Sequence, residues 1–63
     1  MLDATKRIIK KYGKEKCMEA YRLYDDGNMG GRNVGYMMGV STNTADALIN
    51  AAMDIIKNQN KQS

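Results

Sequence analysis

The chain has 63 residues and a formal net charge of +3, with one cysteine and no histidine, proline, tryptophan or phenylalanine. A chain of this length forms one domain at most, and a single cysteine without histidine excludes an internal disulfide and a Cys/His zinc site. A Ser-His-Asp triad and an imidazole base are excluded as well, so we expect a protein that is not an enzyme and that uses no metal or other cofactor.

The first half of the sequence predicts two helices. Apolar residues recur with helical spacing, and no segment alternates long enough to indicate a strand. The first helix is predicted from about Asp3, as its N-cap, to Tyr12, with Gly13 as its end. The second is predicted over residues 14–26, with Gly27 supplying a left-handed terminus.

The second half predicts a short helix over residues 31–38 and a long one over residues 42–57. Between them, Gly39 allows a positive φ after the first helix, and Ser41 can accept hydrogen bonds from the free N–H groups that open the second. A three-residue turn between a short and a longer helix is typical of a helix-turn-helix. We therefore expect an all-α fold, a small bundle of three to four helices that contains a helix-turn-helix.

Gly35 lies in the middle of the third predicted helix, where glycine costs about 1 kcal/mol relative to alanine. This placement predicts that the two helices of the unit approach each other closely at Gly35, where a side chain would hold them apart. The whole chain is then one helical domain, 1–63, made of a basic N-terminal helix (1–13), a helix-turn-helix core (14–57) and a polar tail (58–63).

Positive charge is concentrated at the N-terminus, because residues 1–22 contain seven basic and three acidic residues while the remainder is slightly acidic. Such a cluster indicates either a surface for a polyanion or an ordinary solvated helix face. No apolar run approaches the roughly 18 residues of a membrane span, and Lys6 and Arg7 interrupt the region where a signal peptide is apolar. We expect a cytoplasmic protein that does not contact a membrane.

Residues 32–48, with the sequence RNVGYMMGVSTNTADAL, resemble the DNA-binding helix-turn-helix of small bacterial and phage regulators. In those proteins a small residue, then Gly-Val-Ser, then threonine and an aliphatic pair recur. Residues 20–27 are similar to the supporting helix and glycine turn of resolvase- and transposase-type helical domains. The resemblance covers about residues 17–50, and it implies a transcription regulator that binds double-stranded DNA with the fourth helix in the major groove.

The fourth helix would then present polar residues to the bases. Asparagine can bond adenine through two hydrogen bonds, aspartate can accept from cytosine, and a methyl group can contact thymine. This helix contains no arginine, and Asp46 either sharpens specificity or indicates that the helix meets a protein. The predicted base contacts are Thr42, Asn43, Asp46, Ala47 and Asn50, and the predicted DNA-backbone contacts are Lys6, Arg7, Lys10, Arg32, Tyr36 and Thr44.

The long helix carries more apolar surface than so small a core needs, which predicts a homodimer through Ile49, Met53 and Ile56. Two copies would bind half-sites about 34 Å apart. The leading hypothesis is therefore a sequence-specific DNA-binding transcription regulator encoded by a phage or mobile element. The alternative is a protein-interaction module of the same fold that binds and modulates a polymerase, a repressor or another host protein.

Overall fold

A computed structural model describes residues 1–61, with side chains through residue 59, and these residues form four α-helices without a strand. The predicted all-α class is thereby confirmed. The third helix has the bounds predicted from the sequence, and the first ends at the predicted residue. In chain order the helices are α1 (Asp3–Tyr12), α2 (Lys14–Asp25), α3 (Gly31–Met38) and α4 (Thr42–Lys61).

The last helix is longer than predicted, because α4 continues beyond Lys57 to Lys61. Much of the segment predicted as a polar tail is therefore helical, while residues 62 and 63 lie outside the described residues. Neither α4 nor any other helix within residues 1–61 combines the length and the apolarity needed to cross a membrane.

The start of α1 differs from the prediction. Leu2, with extended backbone angles, is the N-cap residue, and Asp3 is already the first residue of the helix. Leu2 has no side-chain oxygen, so the free N–H groups at the start of α1 are left to solvent or to another part of the chain. The end of α1 is as predicted, since Gly13 has a φ of 94° and donates its N–H to Ile9 O at 2.8 Å.

The prediction for the end of α2 is wrong in its detail. The residue with positive φ is Asn28, at 53°, and Gly27 is not left-handed. Asparagine tolerates this conformation better than most residues. Glycine is still favoured at position 27 for a different reason, because a Cβ there would lie 2.6 Å from the carbonyl oxygen of Leu23.

The turn between α3 and α4 is closed by backbone hydrogen bonds. Gly39 has a φ of 72°, and Val40 donates its N–H to Gly35 O at 2.9 Å. Together with the bond from Gly39 N–H to Tyr36 O at 3.3 Å, these contacts form a Schellman motif at the end of α3. The turn therefore has a fixed geometry, as its sequence predicted.

A close approach at Gly35 is confirmed, but the neighbour is the turn itself. A Cβ at Gly35 would lie 2.8 Å from Val40 O and 3.1 Å from Ser41 O, which are both backbone atoms. These atoms cannot move aside without opening the turn. The glycine is thus required because the turn folds back onto the middle of α3.

The core is organised around α4, which packs against all three other helices. Leu48 is 1 % exposed, and Cys17 of α2 and Val34 of α3 are completely buried. Because α4 has neighbours on three sides, its buried stripe is wider than a one-sided amphipathic helix would need. The buried residues of α4 are Ala45, Leu48, Ile49, Ala51, Ala52 and Ile55.

Candidate nucleic-acid interface

The amino-terminal half of α4 presents a polar strip to solvent. Thr42, Asn43, Asp46 and Asn50 are all exposed, while Ala45 and Leu48 on the opposite side are buried. The strip follows from helical geometry, since residues three, four and seven apart share a face. Four of the five predicted base contacts therefore lie on the open side of the helix.

Ser41 and Thr44 form the cap that begins this helix. Thr44 donates its N–H to Ser41 Oγ at 3.1 Å, and the Ser41 hydroxyl donates to Thr44 Oγ1 at 2.9 Å. The predicted capping role of Ser41 is confirmed. Thr44 is half-buried and its hydroxyl already accepts a hydrogen bond, so the structure gives this predicted backbone contact a local role in closing the helix start.

Asp46 faces the start of α3. A Cβ on Gly31 would fall against the Asp46 carboxylate, with Cγ 2.9 Å away. The N-cap residue of α3 is Gly30, which offers no side-chain oxygen, and a negative charge near a helix N-terminus is stabilising. The carboxylate therefore lies near the start of α3, a position that sequence reasoning missed because Asp46 is distant from Gly31 along the chain.

Asp54 plays a comparable role for α1. Its Oδ2 accepts the N–H of Leu2 at 2.9 Å, and its Oδ1 accepts the Nδ2–H of Asn58 at 3.0 Å. The Leu2 N–H, then the Thr5 hydroxyl, lower the pKa of Asp54, and the nearby N-terminal charge and Asn58 add to this effect. Asp54 therefore joins α1 to α4.

The seam between α1 and α4 is a groove beside the polar strip. It is lined by Arg7, Ala4 and Ile8 of α1 and by Ala47 and Asn50 of α4. Ala47 is half-buried there, whereas Asn50 and Arg7 are exposed. The groove brings together a residue predicted for the DNA backbone, Arg7, and two predicted for the bases.

The other predicted backbone contacts lie on two further parts of the surface. Lys6 and Lys10 are exposed on α1, and Arg32 is exposed at the second residue of α3. Tyr36 is 76 % exposed on α3, as predicted. The cations thus lie on two helices that both pack against α4, and their side chains are exposed.

The predicted dimer interface needs correction. Ile49 is only 4 % exposed and belongs to the core, because the α4 stripe extends to this side. Met53 is 38 % exposed and Ile56 is half-buried, so these two remain accessible at the surface.

Comparison of the chain with known protein families, curated proteins and solved structures finds no match.

Proposed function

We propose that the chain is a sequence-specific DNA-binding regulator of transcription, cytoplasmic and encoded by a phage or mobile element, whose α4 enters the major groove. One observation carries this proposal: the polar strip at the amino end of α4 is open to solvent, next to a turn of fixed geometry. A helix that presents its first turns in this way fits the width of the major groove.

The residues of the strip have suitable chemistry for bases. Asn43 and Asn50 are seven residues apart, so they lie on the same face of α4, and both are exposed. Each side-chain amide can therefore reach an adenine edge. Thr42, exposed at the first position of α4, can donate to a base or to a phosphate. The Asp46 carboxylate lies near Gly31 at the start of α3, where a negative charge is favourable, so we assign it to positioning α3 and not to base recognition.

Exposed cations on the neighbouring helices would position α4 on the duplex. Lys6, Lys10 and Arg32 are exposed on α1 and α3, and long cationic side chains of this kind commonly contact phosphates. Tyr36 can add a hydroxyl from α3. Such contacts supply affinity without sequence information, whereas the asparagines supply specificity.

We also propose a homodimer that uses Met53 and Ile56. Both side chains are accessible on the part of α4 that lies beyond the polar strip, so a second copy could pack there while the strip stays free. A dimer would extend the contact beyond the roughly 600–1,000 Å² that one small module buries on DNA. Sedimentation equilibrium tests it: a mass that rises with concentration supports the dimer, and a constant monomer mass excludes it.

Salt-dependent DNA binding tests the main proposal. Duplexes are first selected by the protein from random sequence, and their affinities are then measured across a salt series. We expect a linear fall of log affinity with log salt, by about 0.9 per phosphate neutralised, together with preference for the selected sequence at every salt concentration. The absence of any sequence preference would contradict the proposal.

A protein-interaction module is the second candidate, and α3 provides the observation that favours it. Tyr36 and Met37 are adjacent and 76 % and 64 % exposed, which leaves two large apolar side chains in contact with water. Aromatic residues and methionine are enriched at protein interfaces. Selective DNA binding separates the two functions, because a protein-interaction module should show none. Met37→Ser, which leaves the Tyr36 hydroxyl in place, should not reduce selective DNA binding if the protein is a DNA regulator.

A further inference from the structure

The polar strip of α4 contains no arginine or lysine, the side chains that most commonly contact guanine specifically. Guanine presents two acceptors in the major groove, and the commonest specific contact to it is a two-pronged hydrogen bond from arginine. The first cation of α4 is Lys57, far beyond the strip. Asn43 and Asn50 are matched to adenine, so α4 alone would recognise A·T pairs better than G·C pairs.

Arg7 is the cation that the fold brings beside the strip. It is exposed, and it lines the same groove as Asn50 and Ala47 although it belongs to α1. The groove wall around it is apolar, since Ala4 and Ile8 are its neighbours there, so the aliphatic part of the arginine can pack on the wall while the guanidinium stays in water.

The position of α1 against α4 is fixed close to Arg7. Thr5 is 4 % exposed within the seam, and the bond from Leu2 N–H to Asp54 ties the start of α1 to α4. A side chain held on a fixed helix loses less freedom when it binds than one on a flexible arm. Arg7 is thus presented from a defined place next to Asn50.

We propose that Arg7 contacts a guanine at a base pair neighbouring the one that Asn50 contacts, and so supplies the specificity that α4 lacks. This inference rests on the proposed function of the chain. It also replaces the role that the sequence pattern gives Arg7, which is contact with the sugar-phosphate backbone.

The experiment measures fluorescence anisotropy on the duplex selected by the wild-type protein and on a series in which each base pair is replaced in turn. At one G·C pair, replacement should weaken wild-type binding by about 5- to 100-fold. Arg7→Ala should remove the preference at that pair and retain it elsewhere. Arg7→Gln should change the preference at that pair toward A·T, because glutamine matches adenine.

Lys6→Ala is the matched control, since Lys6 is the neighbouring exposed cation of α1 and lies outside the groove lining. We expect it to weaken binding to all duplexes by the same factor. If Arg7→Ala also weakens every duplex equally, Arg7 contacts phosphate and this inference is wrong, while the proposed function stands. If the wild-type protein selects no sequence, the proposed function fails and the inference fails with it. Circular dichroism of the variants verifies that all remain folded.

Discussion

The start of α4 and the starts of α1 and α3 are stabilised in different ways. At α4 the partners are neighbours in sequence, because Ser41 caps the helix through Thr44 and Gly39 closes the preceding turn. Among the described residues, the N-cap residues of α1 and α3 make no side-chain cap hydrogen bond. Their starts instead face carboxylates of α4, Asp54 in one case and Asp46 in the other.

This difference explains the acidic residues of α4. A negative charge on a helix that binds DNA would weaken attraction to phosphates, and Asp46 and Asp54 look unfavourable on that ground. Each of them lies instead at the start of another helix, where a negative charge is stabilising. The long central helix thus places Asp54 and Asp46 at the starts of its neighbours α1 and α3.

The largest loss of stability is expected from a substitution at Gly35, which faces the turn between α3 and α4. Gly35→Ala would place a methyl group 2.8 Å from the carbonyl oxygen of Val40, so we expect the free energy of unfolding to fall by about 1–3 kcal/mol despite the better helix propensity of alanine. Denaturant unfolding followed by circular dichroism measures this change. Gly30→Ala is the control, because position 30 has open space around it and a negative φ, and we expect a change below about 0.5 kcal/mol. Equal effects would show that the turn does not constrain residue 35.

The next largest loss of stability is expected from removing the Ser41 cap of α4. Ser41→Ala removes the acceptor for the Thr44 N–H, and we expect a loss of about 1 kcal/mol in unfolding free energy. Thr42→Ala serves as the control, since Thr42 is exposed and alanine has the better helix propensity. If Ser41→Ala were as stable as Thr42→Ala, the serine would not be the cap of α4.

Asp46→Asn probes the first of the remote contacts. We expect a smaller loss of about 0.3–1 kcal/mol, greatest at low salt, because the change removes a charge near the start of α3 and salt screens that interaction. The base preference of the protein should stay unchanged, since Asp46 is assigned to positioning. A loss of preference at one base pair, with stability intact, would return Asp46 to base recognition.

The contact between Asp54 and the start of α1 should make the stability of the protein depend on pH. Hydrogen bonds from Leu2 and Thr5 hold the pKa of Asp54 below its unfolded value, so the stabilising contribution is complete above about pH 4 and is lost as the pH falls through the lower folded value. Thermal unfolding between pH 7 and pH 2 should therefore show a steeper decline for the wild-type protein than for Asp54→Asn. Parallel curves for the two proteins would exclude this linkage.

The features that sequence predicted correctly are those whose partners are close in the chain. The turn at Gly39 and Ser41 is such a case, because a positive φ and a serine cap are determined within a few residues. The contact from Leu2 to Asp54 spans 52 residues and depends on how α1 packs against α4. No periodicity of either segment contains that information.

In the candidate site, too, the features set by nearby residues were predictable and those set by helix packing were not. The exposure of Asn43 and Asn50 followed from helical spacing alone. Ile49 was misplaced because its burial depends on the number of helices around α4, and a one-sided stripe does not predict a third neighbour. The position of Arg7 beside Asn50 likewise arises from the packing of α1 and was visible only in the fold.

The central claim is that the exposed amino end of α4 recognises base sequence. Binding of Asn43→Ala and Lys10→Ala to the selected duplex and to its single-pair variants tests this claim most directly. We predict that Asn43→Ala loses preference at one base pair, by about 1–3 kcal/mol, and that Lys10→Ala weakens binding to all duplexes alike. A uniform loss from both substitutions would contradict the claim, because α4 would then contribute affinity for DNA without reading its sequence.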